Sequence, residues 1–367
     1  MDKRIRLNNW VKFVYAKLTL NLVKQLMLLC LSIMIQVSVQ SQDWLPVKIA
    51  IHTDQEKAAV YAANELFTAY IWPETLKKPV LWPVVAPGGQ TVTRAFPMAV
   101  KAGERADHPH HVGIWLNFGD VNGLDFWNNS EAIPKENAGR YGTIRHQSID
   151  RAESGSDRGQ LETTAFWERP DGTRLLQEKT SYTFRASESV RIIDRVTTLK
   201  AVGGDVLFRD NKEGMFAIRV TTELELPAEG AVELTDAQGI VTRVEKPDLS
   251  KVTGDYLSSE GLTGDAVWGT RATWMRLAGK MNGEEVSVVI LDHPVNPGYP
   301  TYWHARGYGL FAANTLGQKP LSGGKDELNF SLKNGESVTF RYRLMIFRGT
   351  PDAGTLHQLA EEWGRSK

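Results

Sequence analysis

Gln160 to Leu199 reads QLETTAFWERPDGTRLLQEKTSYTFRASESVRIIDRVTTL. Three runs stand out in it, Gln160 to Glu168, Leu175 to Arg185 and Ser189 to Leu199, each alternating apolar with polar residues and rich in β-branched and aromatic types. Period-two alternation is what a strand with one buried face requires. Pro170-Asp171-Gly172 supplies a turn between the first two. Similar runs extend the pattern on both sides: Gly142 to Asp150, closed by Ser154-Gly155-Ser156-Asp157, and Asp205 to Phe208, opened by Gly203-Gly204. The predicted element is a β-meander.

Working outward, strands are expected at Phe216 to Leu226, Arg271 to Ala278, Val286 to Asp292, Gly309 to Asn314, Glu327 to Leu332 and Ser337 to Phe347. Upstream, VKIAIH at Val47 to His52 alternates as a strand should, and Ala58 to Trp72 reads as a hairpin turning near Asn64-Glu65. A proline-punctuated passage follows, holding only Val80-Leu81-Trp82 as a short strand. Pro227 to Thr270 has weak periodicity and reads as an excursion of loops. Leu356, Leu359, Ala360 and Trp363 fall at helical spacing after Pro351-Asp352, predicting one short amphipathic helix. So many strands with a single helix imply an all-β fold of two packed sheets, either a large β-sandwich or a double-stranded barrel.

Lysine plus arginine and aspartate plus glutamate both number 43. That balance leaves no basic field for nucleic acid. Lys3, Arg4, Arg6, Lys12, Lys17 and Lys24 precede the apolar run Leu26 to Ile35, and Val39-Gln40-Ser41 offers a cleavage site. The expected organisation is a signal peptide with an N-terminal extension over 1–41 and a single β-sandwich domain over 42–367, exported to the periplasm or beyond. No membrane span is expected after the leader. The sole cysteine, Cys30, lies in the apolar run, so disulfides, thiol chemistry and cysteine-held metals are excluded from the mature chain.

Three segments concentrate reactive side chains. Gly103 to Trp127 holds Arg105, His108, His110, His111 and Trp115. Read as a strand, it sends His108 and His110 to one face, where two imidazoles can share a divalent metal, and His111 to the other. Phe208 to Gly214 carries Asp210, Lys212 and Glu213 at the end of an apolar strand, candidates for base or anion binding. Asp292 to Gly309 joins an Asp-His strand end to Tyr302, Trp303, His304 and Arg306, aromatic and polar groups suited to a sugar ring. The expected catalytic residues are His110, His111, His304, Asp210 and Glu213. Arg105, Trp115, Lys212, Tyr302, Trp303 and Arg306 are expected to bind substrate.

The blocks PETLKKPVLWPVVAPGG, VTRAFPM, GERADHPHHVGIWLNFGDVNGLDFW, FRDNKEGMFAIRV and LDHPVNPGYPTYWHARGYGLFAAN resemble a bacterial family of unknown function labelled "PmoA family" or "methane oxygenase PmoA". A membrane methane oxygenase subunit needs several hydrophobic spans, which this chain lacks after its leader. The family is similar to large sandwiches of the galactose mutarotase-like class, many of which act on sugars through histidine and carboxylate pairs. The resemblance therefore implies a galactose mutarotase-like supersandwich and a carbohydrate-active enzyme, a hydrolase, lyase or epimerase, with no required cofactor. Two alternatives stand beside it: a glycan-binding protein without catalysis, and a metal-dependent oxygenase or isomerase with His108 and His110 as ligands.

Overall fold

The structure, a computed structural model, describes residues 43–366. The leader expected over 1–41 lies outside the described residues. From Trp44 onward the chain builds two eight-stranded antiparallel sheets that share one hydrophobic core. In spatial order the first sheet runs Val47–His52, Lys57–Ala62, Glu65–Ile71, Val80–Val84, Ile114–Phe118, Gly214–Arg219, Leu310–Asn314 and Tyr302–Ala305. The second runs Asp255–Ser258, Trp274–Met281, Glu284–Leu291, Ser337–Arg348, Val190–Ala201, Arg174–Ala186, Gly159–Glu168 and Thr143–Glu153. The two-sheet sandwich with a short closing helix is thus the fold.

The alternation seen in the sequence sets which face meets which. Phe216 of the first sheet stacks on Tyr342 of the second with centroids 4.9 Å apart, and Phe67 meets Phe184 edge-on at 5.9 Å. Each such side chain removed from water contributes about 1.5–3 kcal/mol. The core also encloses one ion pair, in which Arg195 donates to Glu178 at 2.7 Å. Trp167 and Thr180 donate to the same carboxylate. The far face of the second sheet is closed by the helix Ala353–Gly364, whose Leu356 and Trp363 pack on Trp274, Leu291 and Met345. Asp352 caps it, accepting from the Thr355 backbone N–H.

Several local expectations change. Pro227 to Thr270 is not only loop: Val232–Thr235 pairs with Val241–Val244, and Asp255–Ser258 extends the second sheet. The run Tyr302–Ala305 is a strand in its own right, pairing with Leu310–Asn314. The DHPHH stretch is a turn, closed by the His111 N–H donating to His108 O at 2.9 Å, with His108 at φ 45°.

The buried pair gives a direct test of the core. Glu178→Ala strands the Arg195 guanidinium and is expected to lower unfolding free energy by about 3–5 kcal/mol in chemical denaturation. Lys333→Ala, which breaks the exposed pair with Asp205, should leave stability almost unchanged.

Candidate functional site on the outer face of the first sheet

Strand alternation places Trp115, Asn117, Ala217, Arg219, Leu310, Ala312 and His304 on the face of the first sheet that turns away from the core. Ala217 pairs with both Trp115 and Ala312, and Ala312 with His304. Small side chains at the centre leave room for what lies above. Trp127 fills that space, 5.2 Å from Trp115 and 6.4 Å from His304.

The histidine turn sits on the same face because of two buried arginines. Arg94 donates to the carbonyls of Asp107 (2.7 Å), His108 (2.8 Å) and His111 (3.0 Å), and to Asp107 Oδ1 at 2.9 Å. Arg219 reaches the same Oδ1 at 2.7 Å. Burial opposes ionisation of Asp107, but a hydrogen bond from His108 and the charges of Arg219 and Arg94 outweigh it, so the carboxyl stays well below its usual range. Gly113, at φ 58°, completes the placement: a Cβ there would lie 2.1 Å from Leu81 O.

The turn therefore gathers all three histidines rather than dividing them. His108 stacks on His111 at 4.9 Å and on Tyr308 at 5.1 Å, while His110 meets His111 edge-on at 4.3 Å. The strand expectation that sends His111 away from His108 and His110 fails because the chain bends through Pro109. Arg219 Nη1 lies 3.3 Å from His111 Nδ1. A guanidinium only donates, so that nitrogen accepts and the neutral ring carries its proton on Nε2. Burial, reinforced by neighbouring cations, pushes His110 down to about 2 and His111 well below the ordinary value.

His304 and Glu213 come from distant segments. Asn314 Nδ2 donates to the carbonyls of Asn211 and Lys212, both at 2.9 Å, which drapes that loop over the sheet. Gly119 has no side chain to block it; a Cβ would stand 2.9 Å from Glu213 Cβ. Glu213 Oε2 then lies 3.7 Å from His304 Nδ1, and Lys212 pairs with Oε1 at 3.1 Å. Burial first, then Arg306 and Lys212, lowers His304 to about 3. Both His111 and His304 approach Trp127, at 5.6 and 6.4 Å.

The remaining expected residues divide. Trp115 is fully buried beneath His111 at 5.3 Å and supports the site without being open to ligand. Arg105 is paired with Glu225 at 2.6 Å, and Arg306 lies over the Trp268 ring at 4.9 Å. Asp210 is not brought to the histidines: it accepts from the backbone N–H groups of Lys319, Leu328 and Asn329. Tyr302 donates to Asp326 at 2.7 Å beneath the Arg271 guanidinium. Trp303 alternates with His304 on one strand, so it faces the intersheet core, where its ring donates to Ala272 O. Asp292 clamps its own loop through Asn296, His293 and Thr301, and His293 packs on Trp363.

Arg94, Asp107, Arg219, Trp127, Tyr308 and Lys78 complete the site and were not among the expected residues. Arg219 did carry a signal, a charge within the otherwise apolar FAIRV. Lys78, Pro97, Met98, Pro109 and His110 help line an adjoining pocket of about 630 Å³. Among the described residues, five buried ring nitrogens on this face have no hydrogen-bond partner: His110 Nε2, His111 Nε2, Trp115 Nε1, Trp127 Nε1 and His304 Nδ1, the last facing Glu213 Oε2 at 3.7 Å. Among the described residues, no group of three or more His, Cys, Asp or Glu is arranged to hold a metal ion. No described helix is long and apolar enough to cross a membrane.

The model of a family of unknown function, DUF6807, matches residues 57–361, and the chain belongs to that family. This agrees with the unknown-function part of the resemblance drawn from the sequence. No curated protein matches. Among solved structures, the GH36 α-galactosidase AgaA from Geobacillus stearothermophilus is 12% identical with a TM-score of 0.36, over 82% of this chain and 40% of that one. This chain thus spans about two fifths of that enzyme's length. Galactose 1-epimerase from Lactobacillus acidophilus NCFM is 9% identical with a TM-score of 0.33, over 84% of this chain and 100% of that one. Neither likeness bears on the site, which stands on this chain's own residues.

The lowered imidazoles make acid the weak point. An unfolded histidine titrates at about 6.5, so below that value the unfolded chain takes up protons that folded His110 and His304 refuse. Their contribution is complete above about 6.5 and drains away as pH falls, toward 3 for His304 and toward 2 for His110. Asp292 and Glu225, raised to about 7 by burial, act in the opposite sense over pH 4 to 7. Comparing variants isolates the imidazole part: His304→Gln should lose less Tm than wild type between pH 7 and pH 4, and parallel curves would refute the assignment.

Proposed function

We propose that this DUF6807 member is an exported carbohydrate-active enzyme that moves protons on a sugar with imidazole and carboxylate groups. One observation carries this reading: His108, His110 and His111 gather on the sheet face that also carries the His304–Glu213 pair, with Trp127 between them, and the Nε2 atoms of His110 and His111 have no hydrogen-bond partner among the described residues. Buried polar groups are nearly always hydrogen-bonded. A ligand rich in hydroxyls supplies donors and acceptors for such a cluster, and aliphatic walls at Pro97, Met98 and Pro109 suit the C–H faces of a sugar ring. Export rests on the leader-like 1–41 alone.

The chemistry of the groups favours epimerase or lyase reactions over hydrolysis. Glycoside hydrolysis generally needs two carboxyl groups, one of them able to give up a proton. Asp107 is held ionised by two guanidiniums and cannot fill that role. A neutral imidazole can take a proton from a sugar hydroxyl or carbon and return it elsewhere, which is general acid–base work. In this scheme His304 and Glu213 act as the proton-transfer pair, with His110 and the Nε2 proton of His111 holding substrate oxygens. Lys212 and Arg306 contribute positive charge beside them.

The test is incubation of the protein with mono- and oligosaccharides, including uronates, followed by NMR for new products or accelerated anomeric exchange, with and without chelator. Turnover should fall about 10²-fold or more in His304→Gln and Glu213→Gln and be insensitive to chelator. Sugar binding without turnover would favour a glycan-binding protein, and loss of activity on chelation would favour metal on His108 and His110.

A further inference from the structure

Lys78 is the buried charge that the proposed chemistry leaves unused. It is 4% exposed and lines the pocket beside His110. Its ammonium donates to His110 O at 2.7 Å and lies 5.4 Å from the Trp115 ring centroid. Among the described residues it forms no ion pair, whereas its neighbour Lys77, on the same pocket, is paired with Glu131. Asp125 is the carboxylate whose charge reaches Lys78, but its oxygens already accept from the Trp127 and Asn128 backbones and from Asn128 Nδ2. Burial pulls the lysine down to about 7, as befits a cation without a close counter-charge.

A buried ammonium is costly unless something answers it. A carbonyl and an aromatic face do so only in part. We infer that the ligand supplies the answer: Lys78 receives a carboxylate of the substrate, which makes the substrate class a hexuronate or a chain of them. This rests on the proposed sugar site. A monoanion fits better than a phosphate, because Lys78 is the one lysine of this pocket whose charge is not already matched by an ion pair among the described residues. His110 Nε2, which has no hydrogen-bond partner among the described residues and belongs to the same pocket wall, offers a second contact to the acidic group or to an adjacent hydroxyl.

The experiment is calorimetric titration of the protein at pH 7 with galacturonate, glucuronate, galactose, glucose and the corresponding 6-phosphates. Wild type should bind one of the uronates about tenfold or more tighter than its neutral counterpart, as expected for a charge-assisted hydrogen bond. Lys78→Met, close in volume and free of charge, should bring the ratio of uronate to neutral-sugar affinity down to about one; Lys78→Arg should retain part of the preference. Thermal unfolding of each variant shows whether it is folded. Equal binding of acid and neutral sugars, unchanged in Lys78→Met, overturns the inference but leaves the sugar site standing. A 6-phosphate bound more tightly than either uronate overturns the choice of carboxylate. Binding of none of these sugars overturns the site itself.

Discussion

The site depends on one carboxylate shared by two buried guanidiniums. Asp107 joins Arg94, which is threaded through the histidine turn, to Arg219, which projects from the middle of the first sheet. Arg94 satisfies carbonyls on both sides of Pro109, so the turn is fixed by hydrogen bonds that an extended chain would not present. Arg219 ties that turn to the sheet and also sets the tautomer of His111. Removing one member of such a buried set leaves charge without an answer, which typically costs about 3–5 kcal/mol. Placement of the imidazoles and stability of the face are thus the same problem.

Electrostatics follows from that frame. Burial comes first, and nearby cations add to it, Arg219 and Arg94 at His110 and His111 and Arg306 and Lys212 at His304, so all three rings stay neutral where free imidazoles would begin to protonate. Neutral rings can accept a proton from one atom and donate to another. The unusual density of unpartnered ring nitrogens is the structural counterpart of that state. Lys78 extends the same logic to the substrate: a surface built to hold imidazoles neutral is also one that attracts an anion.

Much of the architecture was legible in the sequence, because period-two alternation directly encodes which face of a strand is buried. The meander from Thr143 to Ala201 follows from it, the Ala58 to Trp72 hairpin from β-branched and aromatic residues, and the closing helix from its own 3.6-residue spacing. The histidine turn was misread for a physical reason. H-x-H spacing has the same period in any extended chain, whereas the bend through Pro109 is imposed by Arg94, which lies outside the motif. Trp303 and Asp210 were assigned to the site on residue type, yet the first points inward by alternation and the second is consumed by backbone N–H groups 109 and more residues away. Glu213 and His304 are separated by most of a hundred residues, and they meet because Gly214–Arg219 pairs with Leu310–Asn314, which in turn pairs with Tyr302–Ala305.

The central claim, that the histidine turn and the His304–Glu213 pair serve one ligand, is tested most directly by long-range proton–nitrogen NMR of the imidazoles during titration with hexuronates and their neutral counterparts. The expected result is that His110 and His304 resonances move together, with a common saturation point, for one of these sugars. Movement of only one of them, or of neither at saturating sugar, would contradict it.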